Sequence, residues 1–114
     1  DQLVKFEPGS NVAPGIQSVA AFGHTPGHTL FTVRSEGQSF AYVADITNVP
    51  SLFARNPDWA VLFDMNPEMA RQSRRKIFDM LVKEKMMAGG FHFPFPAFGS
   101  ITPSGNGYQF VPVV

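Results

Sequence analysis

The chain contains no cysteine, so disulfides and thiolate metal sites are excluded and the compartment is left open. It also has no net charge, nine basic residues balancing nine acidic ones. That balance argues against an electrostatic binder of nucleic acid or of a membrane surface. No apolar run is long enough to cross a bilayer, and no charged segment followed by an apolar one marks a signal peptide. The chain begins with Asp1 rather than Met, which raises the expectation that an upstream part has been removed. A Gly-x-x-x-x-Gly-Lys-Ser/Thr loop is absent, and so is a Gly-x-Ser-x-Gly elbow. Nucleotide binding of that type and serine hydrolysis therefore have no support.

What remains is 114 residues, enough for a single domain or half-domain over 1–114 of mixed α and β type. Gln2 to Glu7 and Gly15 to Ala21 read as strands, with a turn at Pro8 to Asn11 between them. Leu30 to Ser35 and Ser39 to Ile46 read as a hairpin around Glu36-Gly37. Its second arm, Phe40 to Ala44, is apolar throughout and predicts a strand buried on both faces. Thr47 to Asp58 reads as loop with one helical turn. Asn66-Pro67-Glu68 starts a helix: Asn caps, Pro suits the first position, and Glu favours the positive end of the dipole. Met69, Ala70, Ile77, Phe78, Leu81 and Val82 then recur at helical spacing, predicting one main helix over about 67–86, stopped by Gly89-Gly90. The basic run Arg74-Arg75-Lys76 reads as a solvated helix face, with Asp79 and Lys83 as an i,i+4 pair. Phe91-His92-Phe93 predicts a short strand or strand end. A last hairpin joins Ser100–Thr102 to Tyr108–Val113.

The stretch Gly-His-Thr-Pro-Gly-His-Thr, 23–29, places His24 and His28 four residues apart in a turn. Asp45 stands where an apolar strand stops, and His92 near the end of another short strand. Ligands gather at strand ends, because loops there converge. A His/Asp/His set suits a divalent cation such as zinc. Each residue also has a plainer role: a polar turn histidine, a turn-forming or capping aspartate, a half-buried ring. Asp58, Asp64 and Glu68 are explained by turn or capping roles near the helix start. Phe93, Phe95 and Phe98 read equally as core or as the wall of a substrate pocket.

The Gly-His-Thr-Pro-Gly-His-Thr stretch, Ala44-Asp45 at a strand end and Gly90-Phe91-His92-Phe93-Pro94 together resemble the last three metal-binding motifs of the metallo-β-lactamase-fold hydrolases. Their spacings, 21 residues from His24 to Asp45 and 47 from Asp45 to His92, fit that family's order. The His-x-x-Phe-Pro loop and the ending Gly-Tyr-Gln-Phe-Val-Pro-Val resemble the methyl-parathion-hydrolase-like branch. The resemblance implies the C-terminal half of an αβ/βα sandwich, an α+β fold with a mixed sheet. It implies two divalent metal ions in the full-length parent, most simply zinc. His24 would bind one, Asp45 would bridge both, and His92 would bind the other. His28, Thr25 and Thr29 would support the ligands from behind. The implied activity is hydrolysis of an ester-, lactone- or phosphotriester-like small molecule by a metal-bridging hydroxide. The family's upstream His-x-His-x-Asp-His motif is absent, so the resemblance implies only three ligands of a larger set here. The chain would then pair with the N-terminal half of the same protein or with a copy of itself. The branch's frequent export suggests the periplasm or secretion. Three other readings stand beside this one: a non-catalytic fragment that self-associates, an iron-dependent oxygenase of the same fold, and a metal-free binding module.

Overall fold

The computed structural model describes residues 2–114. Seven strands form one sheet in sequence order: β1 (Asn11–Ala13), β2 (Ile16–Ala20), β3 (Thr29–Ser35), β4 (Gln38–Tyr42), β5 (Met87–Gly89), β6 (Phe98–Ser104) and β7 (Gly107–Pro112). All neighbours are antiparallel except β4 and β5, which run parallel. A parallel pair needs a long crossover. Here it is supplied by two helices, α1 (Pro50–Arg55) and α2 (Pro67–Glu84).

Helix α2 begins as its sequence requires. The Asn66 side chain accepts from the Met69 N–H, Pro67 takes the first position and Glu68 lies in the first turn. It ends earlier than the glycine pair suggests, at Lys85, which adopts a left-handed conformation (φ 51°). Gly89 is a strand residue instead: β5 occupies Met87–Gly89, and Phe91-His92-Phe93 is a turn, not a strand. The reason is pairing. Phe40, Ala41 and Tyr42 of β4 offer partners to Met87, Ala88 and Gly89, and residues beyond Gly89 lie past the end of β4. The first strand also moves. Residues 2–7 form no strand, whereas Asn11–Ala13 pairs with β2.

Ile77, Phe78 and Leu81 of α2 cover one sheet face, packing with Leu30, Ala41, Ala88 and Ile101. The other face is largely open in this chain, with the Phe6 ring packed against Phe31 at one side. Val33, Phe40 and Met87 are register partners on adjacent strands, and with Phe98 they line a shallow groove of about 570 Å³. Phe40 and Tyr42 are thus half-buried rather than enclosed on both sides. Two helix residues depart from the sequence expectation. Met69 is exposed, and Arg74 is buried, at 2% exposure. Asp79 accepts a hydrogen bond from the Tyr108 hydroxyl at 2.5 Å.

Candidate metal centre

Strand direction brings the polar residues to one place. β2 and β4 both run antiparallel to β3, and β5 runs parallel to β4, so the C-terminal ends of β2, β4 and β5 share one edge of the sheet. Tyr42 and Gly89 are register partners. Asp45 lies three residues beyond Tyr42, and His92 three beyond Gly89. The turn carrying His24 and His28 follows β2 at the same end.

Two close backbone approaches fix these loops. Ala44 takes a left-handed conformation (φ 47°), which turns the chain so that Asp45 leaves the strand line. A non-glycine residue there stores local strain. Gly90 passes so near that an added Cβ would sit 2.9 Å from the Ala44 carbonyl oxygen. The Val43 N–H donates to the Gly89 carbonyl at 2.8 Å, stitching the two loops side by side.

The side chains then meet. His92 Nε2 lies 3.0 Å from Asp45 Oδ1, both partly exposed. The two histidines of the turn have different surroundings. His28 is buried, with Nδ1 2.9 Å from the Ala21 carbonyl and Nε2 accepting from the Asp45 N–H at 3.0 Å. A carbonyl only accepts and an amide N–H only donates, so both ring nitrogens are occupied and the Nδ1–H tautomer is required. His28 therefore anchors the backbone of Asp45. His24 is more open. Its Nδ1 lies 2.9 Å from Asp64 Oδ1, and the edge of its ring meets Phe63 at 6.0 Å between centroids. His24, Asp45 and Asp64 border one small void, with Ala21, Ile46 and Arg74 behind them.

The remaining sequence candidates are placed as follows. Thr25 offers its carbonyl to the Gly23 and His28 N–H groups, and the Thr29 hydroxyl donates to the Gly27 carbonyl at 2.9 Å. Phe93 is buried against Phe110, with ring centroids 4.9 Å apart. Phe95 is almost fully exposed, and Phe98 lines the open groove on the far sheet face. Exposed apolar side chains nearer the histidines are Phe63, whose ring meets His24, Met65, whose N–H bonds the His24 carbonyl, and Phe91, next to His92 in the chain.

Arg74 overturns the reading of a solvated basic face. Its Nε donates to the Ile46 carbonyl at 2.8 Å, and its Nη1 to the carbonyls of Pro57 (2.7 Å) and Trp59 (2.5 Å). Its guanidinium stacks over Phe53 at 4.9 Å. Burial holds its pKa below the usual arginine value, while the carboxylates of Asp64 and Asp58 act in the opposite sense. One cation thus ties the loop after Asp45 to the loop leading to Asp64. Position within a basic triplet gives no signal for this. The helical period does, because Arg74 falls four residues after Ala70 and three before Ile77, both buried.

The donor set fits a divalent cation in part. Imidazole nitrogen and carboxylate oxygen both suit zinc at about 2.0–2.2 Å, and donors 3.0 Å apart can share one ion. Among the described residues, no three acidic, histidine or cysteine side chains stand close enough together to enclose one.

No family model matches the chain, and no curated protein does. Solved structures are similar to it. AidC, a dizinc quorum-quenching lactonase in complex with a product, has a TM-score of 0.89 and 28% identity, over 96% of this chain and 37% of AidC. The hydrolase AbOPH of the β-lactamase superfamily has a TM-score of 0.88 and 26% identity, over 96% of this chain and 38% of its own. A probable metal-dependent hydrolase from Staphylococcus aureus has a TM-score of 0.69 and 25% identity, over 80% of this chain and 32% of its own. The fold is the α+β arrangement of metallo-β-lactamase hydrolases, and the chain spans less than two-fifths of the length of each of these proteins.

Proposed function

We propose that this chain is the C-terminal part of a dinuclear metal-dependent hydrolase acting on an ester-, lactone- or phosphotriester-like small molecule. The observation that carries this reading is the meeting of Asp45 and His92 at 3.0 Å, on the sheet edge that also holds His24, in a chain whose fold matches a dizinc lactonase. His24, Asp45 and His92 would hold the cations, with Asp45 as the bridging carboxylate. When bound, two divalent cations, in this reading zinc, supply a nucleophilic water near neutral pH and polarise the scissile carbonyl or phosphoryl oxygen. His28 keeps Asp45 in place through the backbone, and Phe63 closes one side of His24. The exposed Phe63 and Phe91 at this end favour a substrate with an apolar or aromatic group over a highly charged one. The methyl-parathion-hydrolase-like branch and an exported location belong to this proposal, on the resemblance of the motifs.

In the full-length protein, His92→Ala should remove one of two metal ions per molecule and most hydrolytic activity. Metal analysis of the purified variant beside a lactone and phosphotriester screen checks both. A variant that retains two ions and full turnover would falsify the assignment.

A second reading is favoured by the open groove along Val33, Phe40, Met87 and Phe98. Here the chain is a non-catalytic fragment with an incomplete ligand set, and it covers that face with a second copy. Native mass spectrometry separates the readings. An N-terminal companion with two metals supports the hydrolase, whereas a metal-free homo-oligomer supports the fragment.

A further inference from the structure

We propose that Asp64 is the positioning residue of His24, holding its ring as the Nδ1–H tautomer and so turning the Nε2 lone pair outward. The value of that lone pair to a cation rests on the metal reading above; the tautomer itself does not. Asp64 lies 40 residues from His24 in sequence, and its side chain is 2% exposed. Its two oxygens have separate duties. Oδ2 accepts from the Val61 N–H at 3.2 Å, and Oδ1 faces His24 Nδ1 at 2.9 Å. A carboxylate can only accept, so the hydrogen of that bond must sit on Nδ1. In the neutral ring the unused Nε2 then carries no proton, the form in which an imidazole binds a metal.

The backbone makes the pairing rigid. The Met65 N–H donates to the His24 carbonyl at 3.2 Å, and the Asn66 N–H to the Gly23 carbonyl at 2.8 Å. The segment carrying Asp64 is therefore bound on its C-terminal side to the turn carrying His24. On its N-terminal side, Arg74 holds Pro57 and Trp59. His28, four residues on, provides the contrast. Its ring is also held, but both nitrogens are filled, so nothing is left for a ligand.

The isosteric change Asp64→Asn tests the role of the charge. The Val61 N–H requires an oxygen, so the new amide would place its Oδ1 there and its NH2 against His24 Nδ1. That nitrogen must then accept, and the proton must move to Nε2. Ring 15N–1H correlation spectra of the metal-free protein, at a pH well above the ordinary histidine pKa, read the tautomer directly. The expected result is Nδ1–H for His24 in the wild type and Nε2–H in Asp64→Asn, with the His28 signals unmoved. Zinc affinity of the full-length protein should fall by about 10- to 100-fold. A wild-type His24 protonated at Nε2 overturns the proposal, as does an Asp64→Asn protein that keeps Nδ1–H. If the variant does not fold, the wild-type spectrum decides alone. Zinc that leaves the wild-type His24 ring signals unchanged would count against the metal reading, while the tautomer would stand or fall on its own spectrum.

Discussion

Replacing Arg74 with methionine should destabilise the protein by about 3–5 kcal/mol, because three buried carbonyls lose their donor. The side chain has 2% exposure and satisfies three carbonyls, those of Ile46, Pro57 and Trp59. Methionine fills much of the volume but donates nothing. Each orphaned buried acceptor costs about 1–3 kcal/mol, and some relief comes as the loops relax toward water. Because net stabilities of domains are about 5–15 kcal/mol, this loss is a large share of the total. The consequence reaches the site: Ile46 adjoins Asp45, and Trp59 lies on the segment leading to Asp64. Arg74→Lys should be intermediate, since one ammonium cannot reproduce the planar fork that serves carbonyls on two separate loops. Urea denaturation of both variants gives the comparison. A loss under 1 kcal/mol in Arg74→Met would show that the loops hold their places without this cation.

Gly23→Ala should be comparably severe for a different reason. Gly23 has φ 128°, a conformation that residues with a side chain rarely adopt. A Cβ there would lie 2.1 Å from the Ala70 nitrogen and 2.5 Å from its Cα. Both atoms are helix backbone in α2, so no flexible side chain can move aside. Overpacking and backbone strain each cost about 1–3 kcal/mol, and together they give about 3–5 kcal/mol. The turn must lift off the helix to accommodate the methyl group. That movement breaks the Asn66-to-Gly23 and Met65-to-His24 hydrogen bonds and carries His24 away from Asp64. Thermal melting should show a drop of roughly 10–20 °C. The control is Gly27→Ala in the same motif, where a Cβ meets nothing within 4 Å, and its melting temperature should stay close to wild type. Equal melting of Gly23→Ala and wild type would mean that the turn does not pack on α2 as described.

Local chemistry in the sequence determined most of the elements. Asn66-Pro67-Glu68 specified the start of α2 and Glu36-Gly37 the β3–β4 hairpin, because caps and turns depend on neighbouring residues alone; the last hairpin turns where its sequence suggests, though at Gly105-Asn106 only, with Pro103, Ser104 and Gly107 paired as strand. The residue types at 24, 45 and 92 also pointed to a place where donors could gather. What the sequence could not determine was who faces whom across long separations. Gly89 looks like a helix stop but serves β5, since its partner Tyr42 lies 47 residues earlier and only strand pairing reveals it. The parallel β4–β5 pair then brings Asp45 to His92. Asp64 reads as a turn residue from its neighbours, and it does bond the Val61 N–H; its second oxygen serves a histidine 40 positions away. Arg74 sits in a basic triplet that solvent would ordinarily claim, yet it is buried because two loops turn three carbonyls toward it. Backbone hydrogen bonding between neighbours is written in the local sequence, whereas the pairing of distant polar groups is settled only when burial removes water as the competing partner.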